Sequence, residues 1–280
     1  IAQGGGTIQE FSIFALDYEA DRHFFLAHYF RDNYDDFLKN YPYINSPVQI
    51  TRVEVWVTNR QSQTNNIRNI IALQDIGESD PNNTRLDELN PSFFNQPTPR
   101  GIPSNDANKL NPNTNSGSSF INESIRDVAS VPNGFGPLNG KVKEGFDYAV
   151  LESARKLLPT EYTLNTQLGY LSLNQRLSND EILGVAFQFT FQGEVYQVGE
   201  FANGDIPGTS TNQQNQVPGQ GQQPQQQVQT NNLIVKMLKS SLTDVRQPVW
   251  DLMMKNIYNT GAFQLSEEDF RLNILYTDPS

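Results

Sequence analysis

Residues 168–201 read LGYLSLNQRLSNDEILGVAFQFTFQGEVYQVGEF, and the middle of the stretch alternates without a break. Val185, Phe187, Phe189 and Phe191 leave the chain on one side, and Ala186, Gln188, Thr190 and Gln192 on the other. A period of two marks a β-strand with one buried face, because successive side chains of an extended backbone point to opposite faces. Gln192-Gly193 separates this run from a second strand-like run, and glycine supplies the positive φ that a tight hairpin turn needs. A chain that puts three phenylalanines on one strand face must build a sheet with a core beneath it.

The same reasoning extends along the chain. Residues 47–59 form a strand with Val53, Val55 and Val57 on one face and Arg52, Glu54 and Trp56 on the other. Residues 67–74 are its expected partner, joined through the polar QSQTNN. Strands are also expected at 9–18, 163–173, 233–238 and 270–276. Helical spacing predicts a helix over 20–40, with Asp21 as N-cap or first-turn acid, and another over 146–158, where Tyr148, Leu151, Ala154 and Arg155 recur and Pro159 ends the run. A short helix is expected near 121–128. Pro248 opens a helix over 248–258, on which Trp250, Met253, Met254 and Ile257 fall at i, i+3, i+4 and i+7 as one apolar stripe. IAQGGG at the start reads as a flexible leader.

Two stretches resist periodic assignment. Residues 80–140 are dense in Asn, Pro, Ser and Gly, an unusually long excursion for a compact domain. Residues 203–232 are rich in Gln, Gly and Pro and read as a mobile linker. The expected fold is therefore α+β and β-rich, an antiparallel sheet or sandwich with a few short helices and long polar loops, spanning 1–280 as a single domain.

Charge and composition narrow the function. Against 31 acidic residues stand 20 basic ones, a net charge of −11. That opposes nucleic acid as a partner, since phosphates demand a basic footprint, and opposes simple docking to anionic lipid. There is no cysteine, which removes disulfides, thiolate metal sites and cysteine nucleophiles. No run approaches the roughly 20 apolar residues of a membrane helix. Residues 182–192 fit the pattern of a transmembrane β-strand as well as that of a soluble core strand.

Reactive constellations are sparse. The only histidines, His23 and His28, would lie about 140° apart on a helix at roughly 100° per residue, whereas metal-binding pairs sit at i, i+4. No G-x-S-x-G elbow is present. Asp32 and Asp36 are i, i+4 neighbours on the expected helix and read mainly as solvated acids. Asp80, Asn82 and Thr84 begin with calcium-loop spacing, but Arg85 replaces the turn glycine and Pro91 the bidentate glutamate. Asn179-Asp180-Glu181 suits a turn before the strand at Ile182. No catalytic residue, cofactor site or metal site is expected. The candidate interaction surface is Trp250, Met253, Met254 and Ile257, since Trp and Met are enriched in interface cores.

Several motifs together resemble the SprA/Sov family of Bacteroidota: the 168–201 segment, PVWDLMMKNIYNTGAF and FRLNILYTD downstream, and ITRVEVWVTNR with IRNIIALQDIGE upstream. The resemblance implies a gliding-motility-related cell-surface protein that forms the outer-membrane translocon of the type IX secretion system. It implies a chain several times longer than this one, and a structural rather than enzymatic role in the cap or lining of a protein-conducting pore. It further implies as partners the rest of the translocon barrel, a smaller outer-membrane barrel protein, a periplasmic plug protein and secreted cargo. Outer-membrane barrels carry their long excursions outside the cell, which favours the cell surface over the periplasmic face. The alternative reading is a surface carbohydrate-binding or adhesion module, motivated by 17 Phe, 11 Tyr and 2 Trp and by the Asn-rich loops. A hydrolase is disfavoured by the poverty of histidine.

Overall fold

A computed structural model describes residues 11–62, 64–95, 101–204, 208–212, 227–261 and 270–276. The chain divides into two compact units, one of residues 1–19 with 255–280 and one of residues 20–254.

The larger unit contains eleven strands among its described residues: β1 (His23–Phe25), β2 (Val48–Val57), β3 (Ile67–Leu73), β4 (Tyr148–Lys156), β5 (Tyr162–Asn165), β6 (Tyr170–Leu173), β7 (Leu183–Phe191), β8 (Glu194–Val198), β9 (Thr209–Asn212), β10 (Gln227–Thr230) and β11 (Leu233–Lys239). Two five-residue α-helices, α1 (His28–Asp32) and α2 (Tyr34–Leu38), follow β1. β11, β3, β4, β2 and β7 pair in that order, and β7 pairs back to β11, so five strands close into a small barrel. The ring is antiparallel except at β11–β3, which run parallel with Leu233 opposite Ile70 and Lys236 opposite Leu73. Closure removes the open sheet edges that would otherwise invite pairing with other chains. Register shifts in β2, β3 and β11 supply the extra twist that so narrow a barrel needs.

β7 is the strand on which the ring turns. Its first residues bond β11, its later residues bond β8, and β2 runs along its whole length. Gln192 (φ 52°) and Gly193 (φ 87°) both take the left-handed conformation between β7 and β8, as a two-residue hairpin of the primed type requires. The phenylalanine face of β7 is covered by α1: Phe30 sits with its ring centroid 6.2 Å from Phe187 and 6.3 Å from Phe189. Every residue of β11 is buried, so both of its faces are covered. A second sheet, β1–β6–β5, is antiparallel throughout. β9 and β10 form a separate antiparallel pair.

The closed barrel replaces the expected sandwich; the β-rich character with few short helices stands. Within the expected helix over 146–158, Tyr148–Lys156 form β4 instead. Alanine, leucine, glutamate, arginine and lysine favour helix intrinsically, but pairing to β3 and β2 on either side outweighs a propensity of tenths of a kcal/mol per residue. Ser153 (φ 53°) also breaks the helical path, its N–H donating to Asn69 Oδ1. The expected helix over 20–40 is divided into β1, α1 and α2. Asp21 (φ 57°) is left-handed rather than a cap, and Arg22 Nε donates to the carbonyl of Leu173, which draws the chain onto β6. β3 exists as expected, but its neighbours are β4 and β11, not β2.

The long excursion is ordered by its own asparagines. The side chains of Asn90, Asn108, Asn111, Asn113 and Asn122 each accept a hydrogen bond from the backbone two residues on, the geometry of an Asx turn. Short 3-10 turns at Pro81–Asn83, Leu86–Leu89 and Glu123–Arg126, and a kinked one at Val128–Leu138, lie between them. Phe93, Ile102, Leu110, Ile121, Ile125 and Phe135 anchor the path in the core. Most of the Gln-rich stretch expected to be a mobile linker lies outside the described residues, as does the IAQGGG leader. In the smaller unit, residues 11–18 and 270–276 form no strand, unlike the expectation; Phe11 and Phe270 stack at 6.1 Å.

Gly169 (φ 63°) lies against Phe30, where an added Cβ would come within 2.1 Å of the ring. Gly169→Ala is expected to cost about 2–4 kcal/mol through overpacking and left-handed strain, read from the urea midpoint. A change below about 0.5 kcal/mol, the scale of an ordinary surface substitution, would contradict this packing.

Candidate functional site

Within β11, LIVKMLK, one charged residue stands in the middle of a strand that is wholly buried. A lysine there needs compensation, because an isolated ammonium in an apolar interior costs several kcal/mol. Lys236 Nζ lies 2.6 Å from Glu78 Oε1 and donates to the carbonyls of Gln74 (2.9 Å) and Ile76 (3.4 Å). Glu78 follows the turn that ends β3, so the parallel β11–β3 pairing carries the lysine to the acid. His28, at the start of α1, donates from Nδ1 to the same Glu78 oxygen at 2.9 Å and from Nε2 to the carbonyl of Pro248 at 2.9 Å. Both ring nitrogens face oxygens, so the ring is held at two points. None of the three side chains is more than 3% exposed.

The cluster reaches further. Asn108 Nδ2 donates to the carbonyls of Asp75 and Glu78, and Asp75 Oδ2 accepts from the backbone of Arg85 and Leu86 at 2.8 Å each. Asp147, also buried, holds the Arg85 guanidinium through two oxygens. Barrel wall and α1 therefore meet at the Glu78 carboxylate, the excursion bonds the main chain of the same residue through Asn108, and the 248 turn bonds His28. Burial alone would raise the Glu78 carboxyl, but the charges of Lys236 and His28 and their hydrogen bonds outweigh it and hold it at about 2. Burial pushes Asp75 upward, partly offset by its backbone donors and by Lys236. A second paired charge, Arg126 with Glu200, closes the other end of the excursion: Arg126 donates from Nη1 to Oε2 (2.6 Å) and from Nη2 to Oε1 (2.7 Å), and also to the carbonyls of Asn232 and Pro112.

This geometry fixes charges; it does not expose a nucleophile. Lys236 has no solvent contact. Among the described residues no group of three His, Asp or Glu side chains is arranged to hold a metal. His23 and His28 fall on different elements, His23 Nδ1 lying 2.7 Å from Ser172 Oγ. Asp32 and Asp36 are separated by the break at Asn33 between α1 and α2. The first engages Arg31 and Asn83, and the second Lys39. Asp80 accepts from the backbone of Asn82 as the cap of a 3-10 turn. Asp180-Glu181 makes the expected turn, Glu181 accepting from the backbone of Ser178.

The expected helix over 248–258 is a 3-10 turn at Pro248–Leu252 only. Met253 turns extended, bridges to Phe24 and accepts from the Asp21 N–H on its sulfur, and the Met254 N–H donates to the carbonyl of His23. Pairing with β1 wins over the helical path. Met253 and Met254 are buried, Trp250 is half-buried, and Ile257 belongs to the smaller unit, so the four do not share a helical stripe. The sequence reading missed Lys236, Glu78 and Arg126; a lysine inside an otherwise apolar strand was the available signal.

Residues 1–178 match the family described as motility related/secretion protein, SprA N-terminal. That is more than half of the chain, and the chain belongs to this family. Its match ends before β7, although β7 and β11 complete the barrel with β2, β3 and β4. No curated protein matches the chain. No helix among the described residues is long and apolar enough to cross a membrane.

Lys236→Met is expected to cost about 3–5 kcal/mol, because Glu78 is left charged in the core, and Glu78→Gln with Lys236→Met should recover part of it. The pH dependence has a definite sign. Glu78 has a folded value of about 2 against an ordinary 4.5, so its contribution is present above pH 4.5 and is lost as pH falls toward 2. Urea unfolding from pH 6 to pH 2 should show this acid limb in the wild type and a flattened one in Lys236→Met. Equal limbs in both would contradict the assignment.

Proposed function

We propose that this chain is a non-catalytic structural segment of the type IX secretion translocon in the outer membrane, forming part of the cap or lining of its protein-conducting pore. The observation that carries the reading is family membership joined to a barrel whose buried charges are consumed internally. A domain held this rigidly serves as a wall or a platform. The partners we propose are the remaining translocon barrel, a smaller outer-membrane barrel protein, a periplasmic plug protein and the exported cargo. The cell-surface side is preferred, the periplasmic face being the alternative. Deleting residues 20–254 from the full-length protein should leave its outer-membrane insertion intact and reduce cargo export; normal export would contradict the proposal. A Tyr43→Cys thiol, on a residue 79% exposed, should react with a membrane-impermeant maleimide on intact cells; reaction only after permeabilisation would assign the periplasmic face.

A surface carbohydrate-binding or adhesion role has one favouring observation. Tyr41 and Tyr43 project from the turn after α2, 77% and 79% exposed, as a stacking surface for sugar rings. A glycan array separates the readings: saturable glycan binding lost in Tyr41→Ala supports adhesion, and its absence leaves the translocon role.

A further inference from the structure

A cleft of about 250 Å³ opens between the 143–147 and 240–247 segments, lined by Arg85, Lys143, Phe146, Asp244, Arg246 and Gln247. Three of its six lining residues are cationic in a chain whose net charge is −11. The charges are not equally engaged. Asp147 holds the Arg85 guanidinium and accepts from the backbone N–H of Lys143 at 2.7 Å, which fixes that wall. Asp244 accepts from Arg246 Nε and Nη2, yet Arg246 is 85% exposed. The Lys143 ammonium has no partner among the described residues and is exposed. Gln247 Oε1 is buried without a hydrogen-bond partner, an acceptor waiting for an N–H or O–H donor. Two exposed apolar residues belong to the same segment as the lining: Leu242 (48% exposed), which packs against Gly145, and Val245 (64% exposed), next in sequence to Asp244 and Arg246.

We infer that this cleft docks an acidic peptide segment in which carboxylates alternate with apolar side chains. The carboxylates meet Lys143 and Arg246, the apolar side chains meet Phe146, Leu242 and Val245, and a peptide N–H donates to Gln247 Oε1. A saccharide would use the cations and the amide but leave Leu242 and Val245 uncovered. A second copy of the chain brings a charge of −11 to meet −11, which opposes self-association. The inference deepens the translocon reading, because it rests on this domain touching another protein and names where.

The test uses the whole chain and an N-acetylated, C-amidated hexapeptide alternating leucine with aspartate, followed by calorimetry and by amide chemical shifts. Saturable binding is expected, centred on 143–147 and 240–247, at least about tenfold weaker for the leucine–asparagine hexapeptide and weakened by salt. Lys143→Glu and Arg246→Glu, both at exposed positions with unchanged far-UV circular dichroism, should each weaken it about fivefold or more. Absence of saturable binding, equal affinity for the asparagine peptide, or indifference to Lys143→Glu would overturn the inference. So would tighter binding of galacturonate than of the peptide, or a dimer that Lys143→Glu dissociates. Failure here removes the cleft and leaves the export role standing. Normal export after deletion of 20–254 removes the role and leaves peptide binding measurable.

Discussion

The carboxylate of Glu78 is the point through which the rest of the larger unit is tied together. It follows the turn after β3, meets Lys236 at 2.6 Å and His28 at 2.9 Å, and is 3% exposed. A buried charge cannot tolerate the loss of its partner, so the two elements that supply one are held in place, β11 by the lysine and α1 by the histidine; the 248 turn is tied in through the second nitrogen of His28, and the excursion bonds the main-chain carbonyl of Glu78 through Asn108. Such a pair adds little net stability over an apolar core of equal shape. What it does is select one arrangement of elements that hydrophobic burial alone would leave interchangeable.

That selection explains how a loop rich in Asn, Pro, Ser and Gly keeps a defined path through its described residues. Its asparagines bond their own backbone, which sets local turns without regular structure. Its few apolar residues enter the core, and its two ends are fastened by buried ion pairs, Glu78 with Lys236 near the start and Arg126 with Glu200 further on. An acidic chain buries three carboxylates here by compensating each: Glu78 pairs with Lys236, Asp147 with Arg85, and Asp75 accepts from the backbone of Arg85 and Leu86.

The parts legible in the sequence were those governed by local periodicity. β2, the β7–β8 hairpin, β3 and β11 were marked by β-branched and aromatic alternation, and the Gln192-Gly193 turn by its glycine. β4 was not legible, because its alanine, leucine and arginine content speaks for helix and only its neighbours in the barrel make it a strand. Closure was not legible either: β11 and β3 are parallel partners whose paired residues, Leu233 with Ile70 and Lys236 with Leu73, are far apart in the chain, a pairing no local pattern announces. The ionic clamp failed to show for the same reason, since Glu78 and Lys236 are separated by a similar length of chain. The stripe of Trp250, Met253, Met254 and Ile257 had helical spacing, but the bridge from Met253 to Phe24 took the chain out of the helix. Family membership was legible from motif order, and it extends over the strands that open the barrel rather than those that close it.

Amide hydrogen exchange on the Glu78→Gln variant tests the clamp most directly. The account predicts that protection falls at His28, whose N–H donates to the Glu78 carboxylate, and along 248–254, while β2 and β7 exchange as in the wild type. Protection that stays unchanged at those amides, or that falls equally in β2 and β7, would contradict the claim that this carboxylate fastens α1 and the 248 turn to the barrel.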